Sequence, residues 1–374
     1  MRLVIVGGGP AALAAARGYR DAGGDGDVTL FTPELVLPYR RPPLSKDFLR
    51  GELDEARLPI EDAAWYENHG VTVRLGGEVA TLGPGARTLT LGSGDTVGYD
   101  ACVLATGAEP CVLPVPGATE EWVLLLRTLA TARVLRDRAE RAETALVVGS
   151  GFIGCEAAAS LAMRGVNVTL QSDENLPHAS RLGEEAGRRI ARWLEALNVT
   201  LKLGDPVRQL TEDAADLVLM AGGVVPRTGL AESAGLNVED GRIVVDAQMR
   251  TSAEGVYAAG DIAYAFNEQA GRHLAVEHWG EALKTGEIAG RAIAGDTEAN
   301  WDVAPGFWST IGEHTLKYVG WGDGFDETRV VDHGGDAWTI WYGAGGRTVG
   351  VLTHQRDEDH KDGRRLVETG APLP

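Results

Sequence analysis

The sequence predicts an α/β protein, with two related parallel-sheet domains followed by a small α+β region. Three observations predict it. Short apolar strands alternate with Ala-rich helices through most of the chain, the pattern of parallel sheets with right-handed crossovers. A glycine-rich turn occurs twice in one local grammar, at 7–12 and 149–154. After Asp302-Val303-Ala304-Pro305 the pattern becomes β-like, and five of the nine Trp lie from Trp301 onward.

The 374 residues, 44% apolar, suit two or three globular domains. Lys plus Arg is 35 and Asp plus Glu is 54, a formal net charge of -19, which disfavours nucleic acid and anionic lipid as partners. Cys102, Cys111 and Cys155 form no C-x-x-C pair and no disulfide framework, so a reducing cytoplasm is expected. Thiolates for a structural zinc site are missing, and no metal is expected. The apolar start is broken by Gly7, Gly8, Gly9 and Pro10, which suits a strand and turn rather than a signal helix, and no run is long enough for a membrane span.

In chain order, Leu3-Val4-Ile5-Val6 is a buried strand, Gly7 to Ala12 a tight turn, and an Ala-rich helix follows. The strand Val28-Thr29-Leu30 comes next, then Thr32 and Glu34. The second copy runs Ala145-Leu146-Val147-Val148, Gly149-Ser150-Gly151-Phe152-Ile153-Gly154, an Ala-rich helix, Val168-Thr169-Leu170, then Ser172, Asp173 and Glu174. Residues 69–76 resemble 197–204, and 99–107 resemble 215–222. Four matched blocks in one order imply two nucleotide-binding domains of similar, Rossmann-like fold. Strands around 316–319, 338–342 and 348–352 predict a small antiparallel sheet, with a terminal helix near 362–369 and a frayed tail from Gly370.

Each glycine turn follows a strand and opens a helix. The first glycine makes the turn, the second lets backbone approach a pyrophosphate, and the helix N-terminus favours negative charge. Gly7, Gly9 and Ala12 serve the first site; Gly149, Gly151 and Gly154 serve the second, with Gly222 closing the later strand. Ala12 replaces the third glycine, where only a small residue is needed. Glu34 is placed to accept ribose hydroxyls. Asp173 and Glu174 put negative charge where a 2'-phosphate would sit, so NADH is expected over NADPH, although Ser172 occupies the position where the acid often stands.

Further motifs turn two dinucleotides into FAD plus NADH. Ala105-Thr106-Gly107 follows a buried strand, and Gly255-Val256-Tyr257-Ala258-Ala259-Gly260-Asp261 ends in a Gly-Asp turn whose carboxylate suits a ribitol hydroxyl. With Arg41-Pro42-Pro43-Leu44-Ser45-Lys46, Glu277-His278-Trp279-Gly280 and Gly306-Phe307-Trp308-Ser309, the sequence resembles the FAD-dependent pyridine nucleotide oxidoreductases. Within them it is similar to the ferredoxin, putidaredoxin and rubredoxin reductase branch, which also holds apoptosis-inducing factor. The resemblance runs from Met1 to about Val367.

That resemblance implies roles. Lys46 would sit near flavin N5 and Glu156 would pair with it, since a buried Lys keeps its charge best beside a carboxylate. Phe152, with Ile153 beside it, would lie where nicotinamide meets the flavin. Arg41 would contact FAD, and Trp279 and Trp308 would border the ring and the route to an acceptor. The implied domains are 1–112 with 240–300 for FAD, 113–239 for NADH, and 301–374 at the C-terminal interface. The implied partner is a ferredoxin-like iron–sulfur protein or rubredoxin, and the chain would be a monomer or homodimer. Arg40 and Thr310-Ile311-Gly312 depart from the branch pattern. No C-x4-C stands near the first helix and no Cys lies in 37–46, so a redox-active cysteine beside the flavin is not expected. Two other readings fit the same half-reaction: an oxidase or quinone or small-molecule reductase, and a redox-sensing interaction protein.

Overall fold

A computed structural model describes residues 1–374. The chain forms two compact units, one of 1–40, 59–109 and 225–306, the other of 41–58, 110–224 and 307–374. Each contains one five-stranded parallel sheet.

In the first unit the order is Val256–Ala258, Ala101–Leu104, Arg2–Val6, Asp27–Thr32, Val71–Leu75. The central strand is apolar on both faces because helices and loops cover both; Leu3, Val4 and Ile5 are buried. Each such side chain contributes roughly 1.5–3 kcal/mol by leaving water. Helix Pro10–Asp21 packs on helix Trp279–Ile293 at backbone contact. A Cβ on Gly286 would lie 2.2 Å from the Ala11 carbonyl oxygen, and one on Gly290 2.1 Å from that of Ala15. Small residues at helical spacing on both helices permit that approach.

In the second unit the order is Thr200–Lys202, Asn167–Gln171, Thr144–Val148, Leu217–Met220, Val123–Leu125. The internal repeat holds at the level of single hydrogen bonds. Gly7 N–H donates to the Phe31 carbonyl and Gly149 N–H to that of Gln171, both at 2.8 Å. The Asp100 carboxylate accepts from Arg2 N–H, and Asp216 accepts from the Glu143 and Thr144 amides, so each holds the start of its central strand. Gly76 and Gly204, at φ 69° and 66°, donate to the carbonyls of Glu34 and Glu174.

The second unit also carries an antiparallel sheet, ordered Gly306–Ile311, His314–Gly320, Arg347–His354, Trp338–Ala344, Glu327–Asp332. The outermost strand, Glu327–Asp332, is mostly exposed and lacks the apolar alternation that the sequence reading relies on. The final helix begins at Asp357 rather than near 362; Asp357, Glu358 and Asp359 fill its first turn, where the helix dipole favours acids. The tail is not frayed. Arg347 bridges Pro372, and Thr348 N–H donates to the Ala371 carbonyl, so backbone pairing ties it to the sheet. No helix is long and apolar enough to cross a membrane.

Candidate active site

In the first unit the glycine turn gathers the expected residues. Gly7 sits at φ +140°, and a Cβ there would lie 2.0 Å from the Ala105 carbonyl oxygen, which places Ala105-Thr106-Gly107 beside the turn. Thr106 Oγ1 donates to the Arg227 carbonyl. A Cβ on Gly8 would meet Thr32 Oγ1 at 2.3 Å, so the end of the second strand, with Glu34 two residues on, lies alongside. Tyr39 donates to Glu34 Oε2 at 2.7 Å. Gly9 caps the helix without a side chain and has no protein atom within 4 Å of its missing Cβ. Ala12 is fully buried. Gly260, at φ +80°, approaches Ala11 and Ala282, bringing the Gly260-Asp261 turn and the helix begun by Trp279 to the same place.

The second unit repeats this. Gly149 sits at φ +104° with the Ala221 carbonyl oxygen 2.5 Å from its missing Cβ, next to Gly222. Gly151 is open, as Gly9 is. Gly154 has no room for a methyl group, which would meet the Gly149 carbonyl oxygen at 2.0 Å, whereas Ala12 is accommodated. Asp173 is exposed and Glu174 turns inward. Glu174 accepts from Ser150 Oγ, His178 N–H and both the amide and hydroxyl of Ser180. Burial opposes its charge, but the Ser180 and Ser150 hydrogen bonds and nearby His178 hold the carboxyl below its usual range.

Lys46, Arg41 and Ser45 belong to the second unit, held by helix Phe152–Met163. Glu156, Ser160 and Arg164 recur every four residues and share a face. Ser160 Oγ donates to the Ser45 carbonyl and Arg164 to that of Leu49, each at 2.7 Å. Glu156, 7% exposed, is fully engaged: Lys46 Nζ lies 2.7 Å and Ser45 Oγ 2.5 Å from Oε2, and Ser309 Oγ lies 2.7 Å from Oε1. A buried carboxylate needs its oxygens hydrogen-bonded. Arg41 donates to the Arg127 carbonyl at 2.9 Å. Lys46 and Glu156 are marked in the sequence, whereas Ser45 and Ser309 are hinted at only by the family-like segments around them.

Ile153 is half-buried beside Phe152. Phe152 packs against His178 at 4.1 Å and Phe307 at 4.7 Å between centroids. His178 is buried at φ +59°, and burial pulls its pKa down to about 4. Cys102 and Cys155 are fully buried, which pushes both thiols up and leaves them inert.

The open backbone at Gly9 and Gly151, each at a helix start beside a crossover strand, fits the pyrophosphate of a dinucleotide. Two such sites in one chain define a dinucleotide-dependent oxidoreductase. The chain belongs to the pyridine nucleotide-disulphide oxidoreductase family, which matches residues 1–286, and residues 306–374 match the reductase C-terminal family. It is thus an oxidoreductase using FAD and a pyridine nucleotide. It is 32% identical to rhodocoxin reductase of Rhodococcus erythropolis, over 100% of this chain and 91% of that protein. It is 34% identical to the ferredoxin–NAD(+) reductase component of the anthranilate 1,2-dioxygenase system of Burkholderia cepacia, over 98% and 94%. Its fold matches that in the crystal structure of the covalent putidaredoxin reductase–putidaredoxin complex at TM-score 0.94 and 27% identity, covering 99% of this chain and 94% of that one.

Proposed function

We propose that this chain oxidises NADH and reduces a ferredoxin-type iron–sulfur carrier. The observation that carries the reading is the doubled glycine turn, with the same hydrogen bonds in both parallel sheets. The printed names of the relatives, ferredoxin–NAD(+) reductase component and a complex with putidaredoxin, support the choice of acceptor. FAD is assigned to 1–112 with 240–300 and NADH to 113–239, because each parallel sheet lies within one of those spans. Three free cysteines suit a reducing cytoplasm.

Bound FAD supplies the exchange between a two-electron hydride donor and one-electron acceptors. Gly7, Gly9 and Ala12 hold its pyrophosphate, Glu34 its ribose, and Asp261 its ribitol chain; Arg41, Thr106 and Trp279 border it. Gly149, Gly151 and Gly154 hold NADH, and Phe152, fixed by its aromatic neighbours, orients the nicotinamide. Lys46 would supply a positive charge to the flavin, and Glu156 holds that ammonium in place. Trp308, 46% exposed between buried Phe307 and Ser309, would border the route to the acceptor.

Anaerobic addition of NADH to the purified flavoprotein, followed by mixing with ferredoxins and rubredoxin, tests the reading. The flavin band should bleach and return only with a carrier. Rapid recovery in air without one points to an oxidase, and no bleaching overturns the proposal.

A further inference from the structure

Away from the glycine turns, three side chains of the C-terminal sheet converge. His314 Nδ1 lies 3.1 Å from Asp336 Oδ2, His354 Nε2 lies 3.2 Å from the same oxygen, and the two nitrogens are 3.5 Å apart. Bonds of about 2.0–2.1 Å from a tetrahedral zinc put ligand atoms roughly 3.3 Å apart, so the triangle already has the size of one face of such a site.

The ring orientations are fixed by groups outside the triangle. His354, 2% exposed, directs Nδ1 to the Thr315 carbonyl at 2.8 Å. A carbonyl only accepts, so Nδ1 carries the hydrogen, and Nε2 is the ring atom turned toward Asp336 and His314. That is the outer hydrogen bond that orients a ligating imidazole. His314 stacks flat on Trp193, centroids 4.5 Å apart and planes parallel, with its Nδ1 edge toward the triangle. The Gln355 amide nitrogen is 3.3 Å from His354 Nε2 and would be displaced. Asp336 is 51% exposed and His314 33%, so the face opens to solvent and leaves room for water as a further ligand. Glu313 adds negative charge beside His314.

We propose that His314, Asp336 and His354 form a binding site for a divalent transition metal, of which zinc is the probe. Two imidazoles and one carboxylate suit Zn, Fe or Ni better than Mg or Ca. The ion would clasp the start of strand His314–Gly320, the end of strand Arg347–His354 and the turn carrying Asp336, a bond among three segments otherwise joined by backbone pairing. The site does not depend on the proposed acceptor.

The test uses the FAD-loaded protein, stripped with EDTA and dialysed against Zn2+. One equivalent should bind and raise the thermal midpoint, as any ligand of the native state does. Asp336→Asn and His314→Gln, at partly exposed positions, should each weaken binding by at least about tenfold. His333→Gln, a histidine of the neighbouring Asp359 pair, should leave it unchanged. X-ray absorption of the zinc-loaded unmodified protein should show two imidazoles and oxygen at about 2.0–2.1 Å, which needs no variant to fold. No stoichiometric binding, binding retained by both ligand variants, or sulfur in the zinc shell would each overturn the site.

Discussion

Lys46 and Glu156, 110 positions apart, meet at 2.7 Å with side chains 12% and 7% exposed. Removing one partner of such a pair commonly costs about 3–5 kcal/mol, because the other charge stays buried. Here Ser45 and Ser309 remain on the carboxylate, so Lys46→Met should fall at the lower end. It should retain FAD while flavin reduction by NADH slows at least about tenfold, a loss of roughly 1.4 kcal/mol of transition-state stabilisation. Stopped-flow traces matching the parent protein would remove Lys46 from the reaction.

Gly7 and Gly9 separate folding from binding. A methyl group on Gly7 would strike backbone, whereas one on Gly9 would meet no protein atom. Gly7→Ala should therefore lower the urea midpoint by the equivalent of about 1–3 kcal/mol, as overpacking does. Gly9→Ala should keep its circular dichroism and melting as apoprotein yet lose flavin affinity. A Gly9→Ala protein that binds FAD normally would refute the assignment of this turn to pyrophosphate.

Asp173 and Glu174 should part company. The parent enzyme should prefer NADH over NADPH at least about tenfold in kcat/KM. Asp173→Arg changes an exposed group and should raise use of NADPH without lowering stability. Glu174→Ala strips an acceptor from the Ser180 and His178 amides and should destabilise the protein by about 1–2 kcal/mol, the range for a lost cap. Steady-state kinetics favouring NADPH in the parent would reverse the reading of both acids.

His178 predicts an acid-side loss of stability. Its folded pKa of about 4 lies below an unfolded value of about 6.5, so the unfolded chain binds the extra proton first. The contribution is complete above about pH 6.5 and is lost as pH falls toward 4, by about 1.4 kcal/mol between pH 7.5 and 5.5. His178→Asn keeps a residue tolerant of φ +59° and should flatten that slope. Urea titrations at the two pH values with equal differences for both proteins would exclude His178 as the source.

The repeat was legible because each copy writes strand, turn, helix and strand locally, and the hydrogen bonds of Gly7 and Gly149 follow from that order. The acid question at Ser172 resolves the same way: Thr32 and Ser172 accept from the amides of Glu34 and Glu174, so these glutamates are equivalent in the two copies. The partners of Glu156 were not legible, since Ser45 and Ser309 lie 111 and 153 positions away and a hydroxyl has no sequence period. The triangle of His314, Asp336 and His354 escaped for a related reason. Its members come from two strands and a turn, and a search for paired thiolates passes over them.

Helix Phe152–Met163 begins at the second glycine turn and carries Glu156 little more than one turn in, about 6 Å along its axis. The anchor of the lysine and the proposed cradle for a pyrophosphate are thus two marks on one stiff ruler. A substitution that tilts the helix start displaces the ammonium with it, so defects in nucleotide grip and in charge placement should be inherited together.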